Sequence, residues 1–184
     1  MSVEIPGFVA GTWVIDPVHS EVSFTVRHMM VSKVRGRFDK FEGTIVTTDD
    51  PLASTVTASV DLDSINTNQE QRDAHVRSAD FFEVEKYPAM TFVSTAVKQG
   101  EEGFIMEGDL TLKGVTKTVA FNLEVNGIGP DAYGGTRIGF SAETQINRSD
   151  FGVTFNGPIP GVPGGTVVSE KVTINLEIEG VLQA

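Results

Sequence analysis

The stretch Val172-Thr173-Ile174-Asn175-Leu176-Glu177-Ile178-Glu179 sets an aliphatic residue against a polar one at every step. In an extended chain successive side chains leave on opposite faces, so Val172, Ile174, Leu176 and Ile178 share one face. One apolar face and one wet face belong to an antiparallel sheet rather than to a parallel sheet covered on both sides. The pattern recurs in Val22, Phe24 and Val26 against Ser23, Thr25 and Arg27, and in Val56, Ala58, Val60 and Leu62. Phe121, Leu123 and Val125 repeat it, as do Ile138, Phe140 and Ala142.

Turn chemistry at Asp49-Asp50-Pro51, Gly100-Glu101-Glu102-Gly103, Lys113-Gly114 and Gly129-Pro130-Asp131 separates these runs. The spacing predicts eight strands, roughly 11–28, 34–48, 54–63, 89–99, 102–112, 115–127, 133–147 and 167–182. Several exceed the usual five or six residues, and at about 3.3 Å per residue they reach about 35–45 Å. Eight long strands with one apolar face each predict an all-β fold, an extended eight-stranded antiparallel β-barrel, because closure removes the sheet edges. A two-layer sandwich is the alternative. Phe38 and Phe41 can both face inward only if a bulge near Asp39-Lys40 breaks the alternation.

One segment is not strand-like. Thr67-Asn68-Gln69-Glu70 reads as a capping box, with a polar helix of about three turns from Gln69 to Ser78. It is placed as one short helix in the connection between the fourth and fifth strands, where it serves as a lid or plug over one barrel end. The Pro- and Gly-rich run from Asn156 to Gly165 reads as a loop.

Composition bounds the function. A chain of 184 residues, 40% hydrophobic and 21% charged, fits one globular domain over 1–184 with its core near 11–182. Fourteen basic residues against 25 acidic ones give −11, which disfavours nucleic acid and anionic membrane surfaces. There is no cysteine, hence no disulfide and no thiolate chemistry. No apolar run approaches the roughly 18 residues of a membrane-spanning helix. Met1 to Gly7 lacks the features of a secretion signal, so the expected location is cytoplasmic.

Catalytic patterns are sparse. His19, His28 and His75 show no helical i, i+4 pair and no His-x-His, and there is no Gly-x-Ser-x-Gly elbow or phosphate-binding loop. A metal-dependent enzyme using His19, His28 or His75 requires those side chains to meet in space. Five basic residues, Arg27, Lys33, Arg35, Arg37 and Lys40, crowd one predicted hairpin around His28-Met29-Met30-Val31-Ser32. Adaptable methionines beside cations read either as a solvated turn or as a portal for an apolar guest.

Together these residues resemble the YceI-like family of bacterial lipid- or polyisoprenoid-binding proteins. The likeness begins at Trp13-Val14-Ile15-Asp16-Pro17-Val18-His19-Ser20 and continues through Val26-Arg27-His28, Gly36-Arg37-Phe38 and Phe41-Glu42-Gly43. It runs on through Ser64-Ile65-Asn66-Thr67, Arg72-Asp73-Ala74-His75-Val76, Asp80-Phe81-Phe82 and Tyr87-Pro88. Gly108-Asp109-Leu110-Thr111-Leu112-Lys113-Gly114 and Asn147-Arg148-Ser149-Asp150-Phe151-Gly152 complete it. The resemblance implies a lipocalin-like barrel with a long apolar cavity, often dimeric, with no settled enzymatic activity. Many such relatives are periplasmic.

Alternation and resemblance together predict a non-catalytic binding or carrier protein for a long-chain isoprenoid or other lipid, without a cofactor or a bound metal. The expected wall residues are Phe24, Val26, Phe38, Phe41, Val60, Phe92, Leu110, Phe121, Phe140 and Ile174. Small residues at Gly43, Ala58, Ala96, Gly108 and Ala142, if inward, leave a channel. The expected portal is Met29 and Met30 with Arg35 and Arg37, and the expected head group is neutral, such as a prenyl quinone, because −11 opposes a pyrophosphate. A structural or interaction protein with a filled barrel is the remaining alternative, and a homodimer stays open.

Overall fold

The computed structural model describes residues 4–157 and 165–184. Most of the loop predicted over 156–165 therefore lies outside the described residues. The chain forms β1 (Gly11–Ile15), β2 (Glu21–His28), β3 (Ser32–Phe38), β4 (Phe41–Thr47), β5 (Thr55–Asp61) and β6 (Ile65–Asn66). After the helix α1 (Glu70–Arg77) come β7 (Ala89–Gln99), β8 (Phe104–Leu112), β9 (Val115–Pro130), β10 (Thr136–Asn147) and β11 (Lys171–Leu182).

Hydrogen bonding runs in the order β1-β4-β5-β7-β8-β9-β10-β11, and β11 returns to β1 with Trp13 opposite Leu182 and Ile15 opposite Gly180. That circuit is the eight-stranded antiparallel closed barrel. β2, β3 and β6 lie outside it. β2 takes the same edge of β11 further along, from Glu177 opposite Glu21 to Thr173 opposite Thr25. Two stretches predicted as single strands, 11–28 and 34–48, are thus each divided. Pro17 sits in the first gap, where it can give no ladder N–H. The second gap is Asp39-Lys40, where the sequence required an irregularity. There Phe38 pairs with Val22 and Ile65, while Phe41 pairs with Val60, so both rings reach the interior.

The helix departs from its prediction in three ways. It follows β6 and precedes β7, and on the predicted boundaries too residues 69–78 fall between the third stretch, 54–63, and the fourth, 89–99, not between the fourth and fifth. It spans eight residues, about two turns rather than three. Its cap is Gln69, whose side chain accepts from the Arg72 N–H, and no Thr67 capping box forms. Thr67 is engaged elsewhere, since its hydroxyl and backbone N–H both donate to the buried Asp73 carboxylate, at 2.5 and 2.9 Å. A buried carboxylate must be satisfied, and it takes the donor that the capping box needed.

The interior holds two clusters of buried side chains. One, around Trp13, Ile15, Ile45, Ile138, Phe140 and Ile178, fills the end that β1 and β11 close. Trp13 is fully buried and its indole N–H donates to Thr47 Oγ1 at 2.9 Å. The small residues do not line an open channel as expected. A Cβ on Gly43 would strike Ile15 Cδ1, and one on Gly108 would strike the Phe92 ring, so neighbouring side chains already occupy both spaces. Ala142 is packed in the core and Ala96 lies at a register shift between β7 and β8, leaving Ala58 on an internal void.

The turn between β1 and β2 is anchored by ions. Arg137 reaches Asp16 at 2.7 Å, Asp131 at 2.9 Å and Glu179 at 3.1 Å, and His19 Nδ1 lies 2.7 Å from Asp16. The Arg137 guanidinium, then His19, hold the Asp16 carboxyl well below the usual carboxylate range. A depressed folded value stabilises the fold above the unfolded value, about pH 4, and the benefit disappears as pH falls through the folded one. Asp16→Asn is therefore expected to cost about 1 kcal/mol at neutral pH after solvent screening. The deficit should shrink below about pH 4 in urea titrations read at several pH values.

Candidate functional site: an apolar cavity beneath the helix

Among the described residues two cavities stand out in the interior. The larger, about 250 Å³, lies against α1. Its strand walls are Phe24 and Val26 of β2, Val34 and Phe38 of β3, and Val172 and Ile174 of β11. The helix adds Arg72, His75 and Val76, and the irregular segments add Phe81, Phe82, Arg148, Val153 and Phe155. The smaller, about 70 Å³, lies deeper among Phe41, Ala58, Val60, Phe92, Leu110, Phe121 and Phe140. Val22, Met90 and Ile174 line both and form the partition between them.

The ten expected wall residues thus divide between the two cavities: Phe24, Val26 and Phe38 in the larger, six in the smaller, and Ile174 on the partition. The four expected portal residues are placed differently. Met29 and Met30 are exposed at the tip of the β2–β3 hairpin, and Arg35 and Arg37 lie on its outer, exposed face. None of the four lines either cavity. The mouth is marked instead by those lining residues that also reach solvent, namely Arg27, Arg72, His75 and Phe155.

The helix has little apolar surface and is held by side chains. Arg72 donates to Thr67 Oγ1 at 2.9 Å and to Thr67 O at 2.8 Å, and Arg77 donates to Asp63 O at 2.9 Å. At the mouth, His75 Nε2 lies 2.8 Å from Asp80 Oδ2. Its ring meets Phe81 and Phe155 edge-on, with centroids 5.1 and 5.0 Å away. The expected lid is therefore also part of the wall.

Arg148 is the polar residue deepest in this wall, at 4% exposure. Nε donates to Ser169 O at 2.9 Å, one terminal nitrogen to Val153 O at 2.8 Å and the other to Val168 O at 3.4 Å. Its charge faces backbone carbonyls rather than a bound carboxylate, and burial lowers its pKa from the usual arginine value. A guanidinium stays protonated all the same.

The three histidines do not converge. His28 and His75 line the larger cavity, whereas His19 belongs to the Asp16, Glu179 and Arg137 cluster and lines neither. His19, Asp16 and Glu179 could geometrically offer ligand atoms to one ion. Asp16 and Glu179, however, already share the Arg137 guanidinium, so the cluster is an ion-pair network in which the cation is supplied by the chain.

Alternation could not find Arg148, Phe81, Phe82 or Phe155, which stand on irregular segments. The signal in the sequence for Arg148, Phe81 and Phe82 was motif membership alone, in Asp80-Phe81-Phe82 and Asn147-Arg148-Ser149-Asp150-Phe151, and Phe155 carried none.

A closed antiparallel barrel with an apolar interior void walled by a helix is the architecture of a small hydrophobic-ligand barrel. The chain belongs to the YceI-like domain family, whose model matches residues 13–180. It is 39% identical over 167 residues to protein YceI of Escherichia coli O157:H7, covering 90% of this chain and 83% of the relative. The crystal structure of the Campylobacter jejuni YceI protein superposes with a TM-score of 0.72 at 30% identity, covering 86% of this chain and 90% of that one. A polyisoprenoid binding domain from Saccharophagus degradans shares the fold, with a TM-score of 0.70, 18% identity and coverage of 95% and 100%. Among the described residues no helix is long and apolar enough to cross a membrane.

Proposed function

We propose that this protein is a non-catalytic carrier that holds one long-chain isoprenoid or other lipid in the barrel, with a prenyl quinone as the favoured guest. The observation that carries the reading is the pair of apolar cavities that share Val22, Met90 and Ile174 in their walls. The larger volume falls slightly below the roughly 300 Å³ at which small-molecule pockets begin, so a long chain must also enter the deeper void. Each buried methylene contributes about 0.8 kcal/mol, enough for a long guest to bind without any reacting group. The Saccharophagus degradans domain, by its description as a polyisoprenoid binder, supports the same class of guest.

The cations on the wall favour a neutral head group. Arg72 is committed to Thr67 and Arg148 to three carbonyls, while Arg27, at the mouth, makes no ion pair among the described residues and is a single cation. His75 sits beside the Asp80 carboxylate. A guanidinium N–H left over on Arg148 suits a quinone carbonyl, whereas a pyrophosphate calls for several uncommitted cations.

Native mass spectrometry of gently purified protein, followed by uptake of added prenyl quinone, tests the proposal. A protein that carries no lipid and takes up no quinone sinks it. Arg35→Gln with Arg37→Gln is expected to change quinone affinity less than twofold, since both side chains lie on the outer face. A tenfold loss, about 1.4 kcal/mol, with strong salt dependence would point instead to an anionic head group.

A further inference from the structure

We infer that the tip of the β2–β3 hairpin docks this protein onto a lipid bilayer bearing anionic head groups, bringing the cavity mouth to the membrane surface. Three consecutive apolar residues form the tip: Met29 is 45% exposed, Met30 57% and Val31 82%. The two methionines have φ of 51° and 61°, a left-handed pair that favours Asn-Gly, yet the turn carries two large apolar side chains held out to solvent. Strain of this kind is usually maintained by a role for the residues that bear it.

Charge complements the apolar tip. Arg27 stands opposite Lys33, Thr25 opposite Arg35 and Ser23 opposite Arg37, so four cations share the outer face within three outward-facing rungs of the turn. Glu21, at the far end of β2, is the one acidic residue of these two strands. Among the described residues only Arg37 of the four is ion-paired, to Asp39 at 2.9 Å. The net charge of −11 led us to expect repulsion from an anionic surface, but that sum averages over the whole molecule. A bilayer responds mainly to charges within about 8 Å, one Debye length, and beside this tip the cations Arg27, Lys33 and Lys171 outnumber Glu143 and Glu170, which line the same surface pocket as Met30. An apolar tip with a cationic flank fits an anionic lipid interface better than a neutral protein surface.

The tip is also tied to the cavity. Met29 N donates to Val167 O at 2.8 Å, Ser169 N donates to Arg27 O at 3.0 Å, and His28 bridges to Val168. Arg27, His28 and Val168 all line the larger cavity. A surface that touches the tip therefore lies against the mouth, where a guest crosses without meeting bulk water. This last step rests on the carrier reading, whereas docking itself is measurable without a guest.

The test is flotation of the full chain with vesicles of two parts phosphatidylcholine to one part phosphatidylglycerol, against phosphatidylcholine alone. The unaltered protein is expected to bind the mixed vesicles at least tenfold better, with binding that weakens as salt rises. Met29→Asn with Met30→Gly supplies the residue pair this turn prefers, so the hairpin is retained while the apolar tip is removed. Lys33→Glu with Arg35→Glu reverses the flank. Each double variant is expected to lose at least tenfold in vesicle binding. Equal binding to both vesicle types, or undiminished binding by the methionine variant, overturns the inference. So does a dimer that dissociates in the methionine variant without vesicle binding by the parent, since the tip would then hold a second copy. Quinone uptake from detergent micelles, measured in parallel, reports on the carrier reading alone. Uptake without docking overturns only this inference, and docking without uptake overturns only that reading.

Discussion

Arg148→Ala is expected to lower the unfolding free energy by about 3–5 kcal/mol, read as a shift in urea midpoint at constant slope. The magnitude follows from what the guanidinium satisfies. It gives hydrogen bonds to Ser169, Val153 and Val168 carbonyls, joining the segment after β10 to the segment before β11. A buried acceptor left without a donor costs about 1–3 kcal/mol, and alanine leaves the Ser169 and Val153 carbonyls so, whereas Val168 O keeps the Asn156 amide at 2.7 Å. Relief of the buried charge, together with water entering the cavity, keeps the sum below its simple total. Arg148→Lys separates charge from geometry. An ammonium at that site keeps the charge but cannot reproduce the planar fork, so an intermediate loss is expected. A loss under 1 kcal/mol in the alanine variant would mean that water replaces the guanidinium without penalty. Quinone affinity should fall with stability, because the same segments form the cavity wall.

The contrast between Phe140 and Arg148 shows what the sequence made legible. Phe140 stands in an unbroken alternation, and a single period fixes its face whatever its neighbours do. Phe24, Val60, Phe121 and Ile174 are inward for the same reason. Arg148 follows the last residue of β10 and Phe81 follows α1, where no period operates, and their burial depends on contacts distant in the chain. The filling of Gly43 and Gly108 was likewise hidden. Whether a glycine leaves a hole depends on which side chain comes to lie over it, and Ile15 and Phe92 arrive from other strands. The Asp39-Lys40 break was readable because Phe38 and Phe41 could not otherwise both be inward. The helix cap was misread because Asp73, six residues beyond Thr67, competes for its donors only once it is buried.

Total charge and local charge differ in this molecule. The total of −11 is a property of composition, while a surface meets charges locally. Three of the 25 acids, Asp16, Asp131 and Glu179, are gathered by Arg137 into one ion-pair network near the β1–β2 turn. The cations of β2 and β3 stand apart on the outer face of their hairpin. Alternation alone already put Arg35 and Arg37 on one face. Cross-strand register was needed to set Arg27 and Lys33 beside them.

Met90→Ala is expected to join the two cavities and to extend the range of chain lengths the barrel accepts. Met90 is one of three side chains dividing the voids, and it is the most adaptable, being unbranched where Val22 and Ile174 are branched at Cβ. In the unaltered protein a long guest must turn this side chain aside, which costs binding energy in proportion to the contacts it disrupts. Alanine removes that cost in advance. Truncating a buried methionine destabilises the fold by about 2–5 kcal/mol. The lower half of that range, about 2–3 kcal/mol, is expected because voids already adjoin the side chain and fewer contacts are lost. Competition between prenyl quinones of short and long chain gives the second readout. The variant should gain affinity for the long chain relative to the short one, and bound long-chain quinone should recover part of the lost stability through mass action. If the length preference is unchanged while stability falls as expected, the guest does not cross the partition, and binding is confined to the cavity beneath the helix.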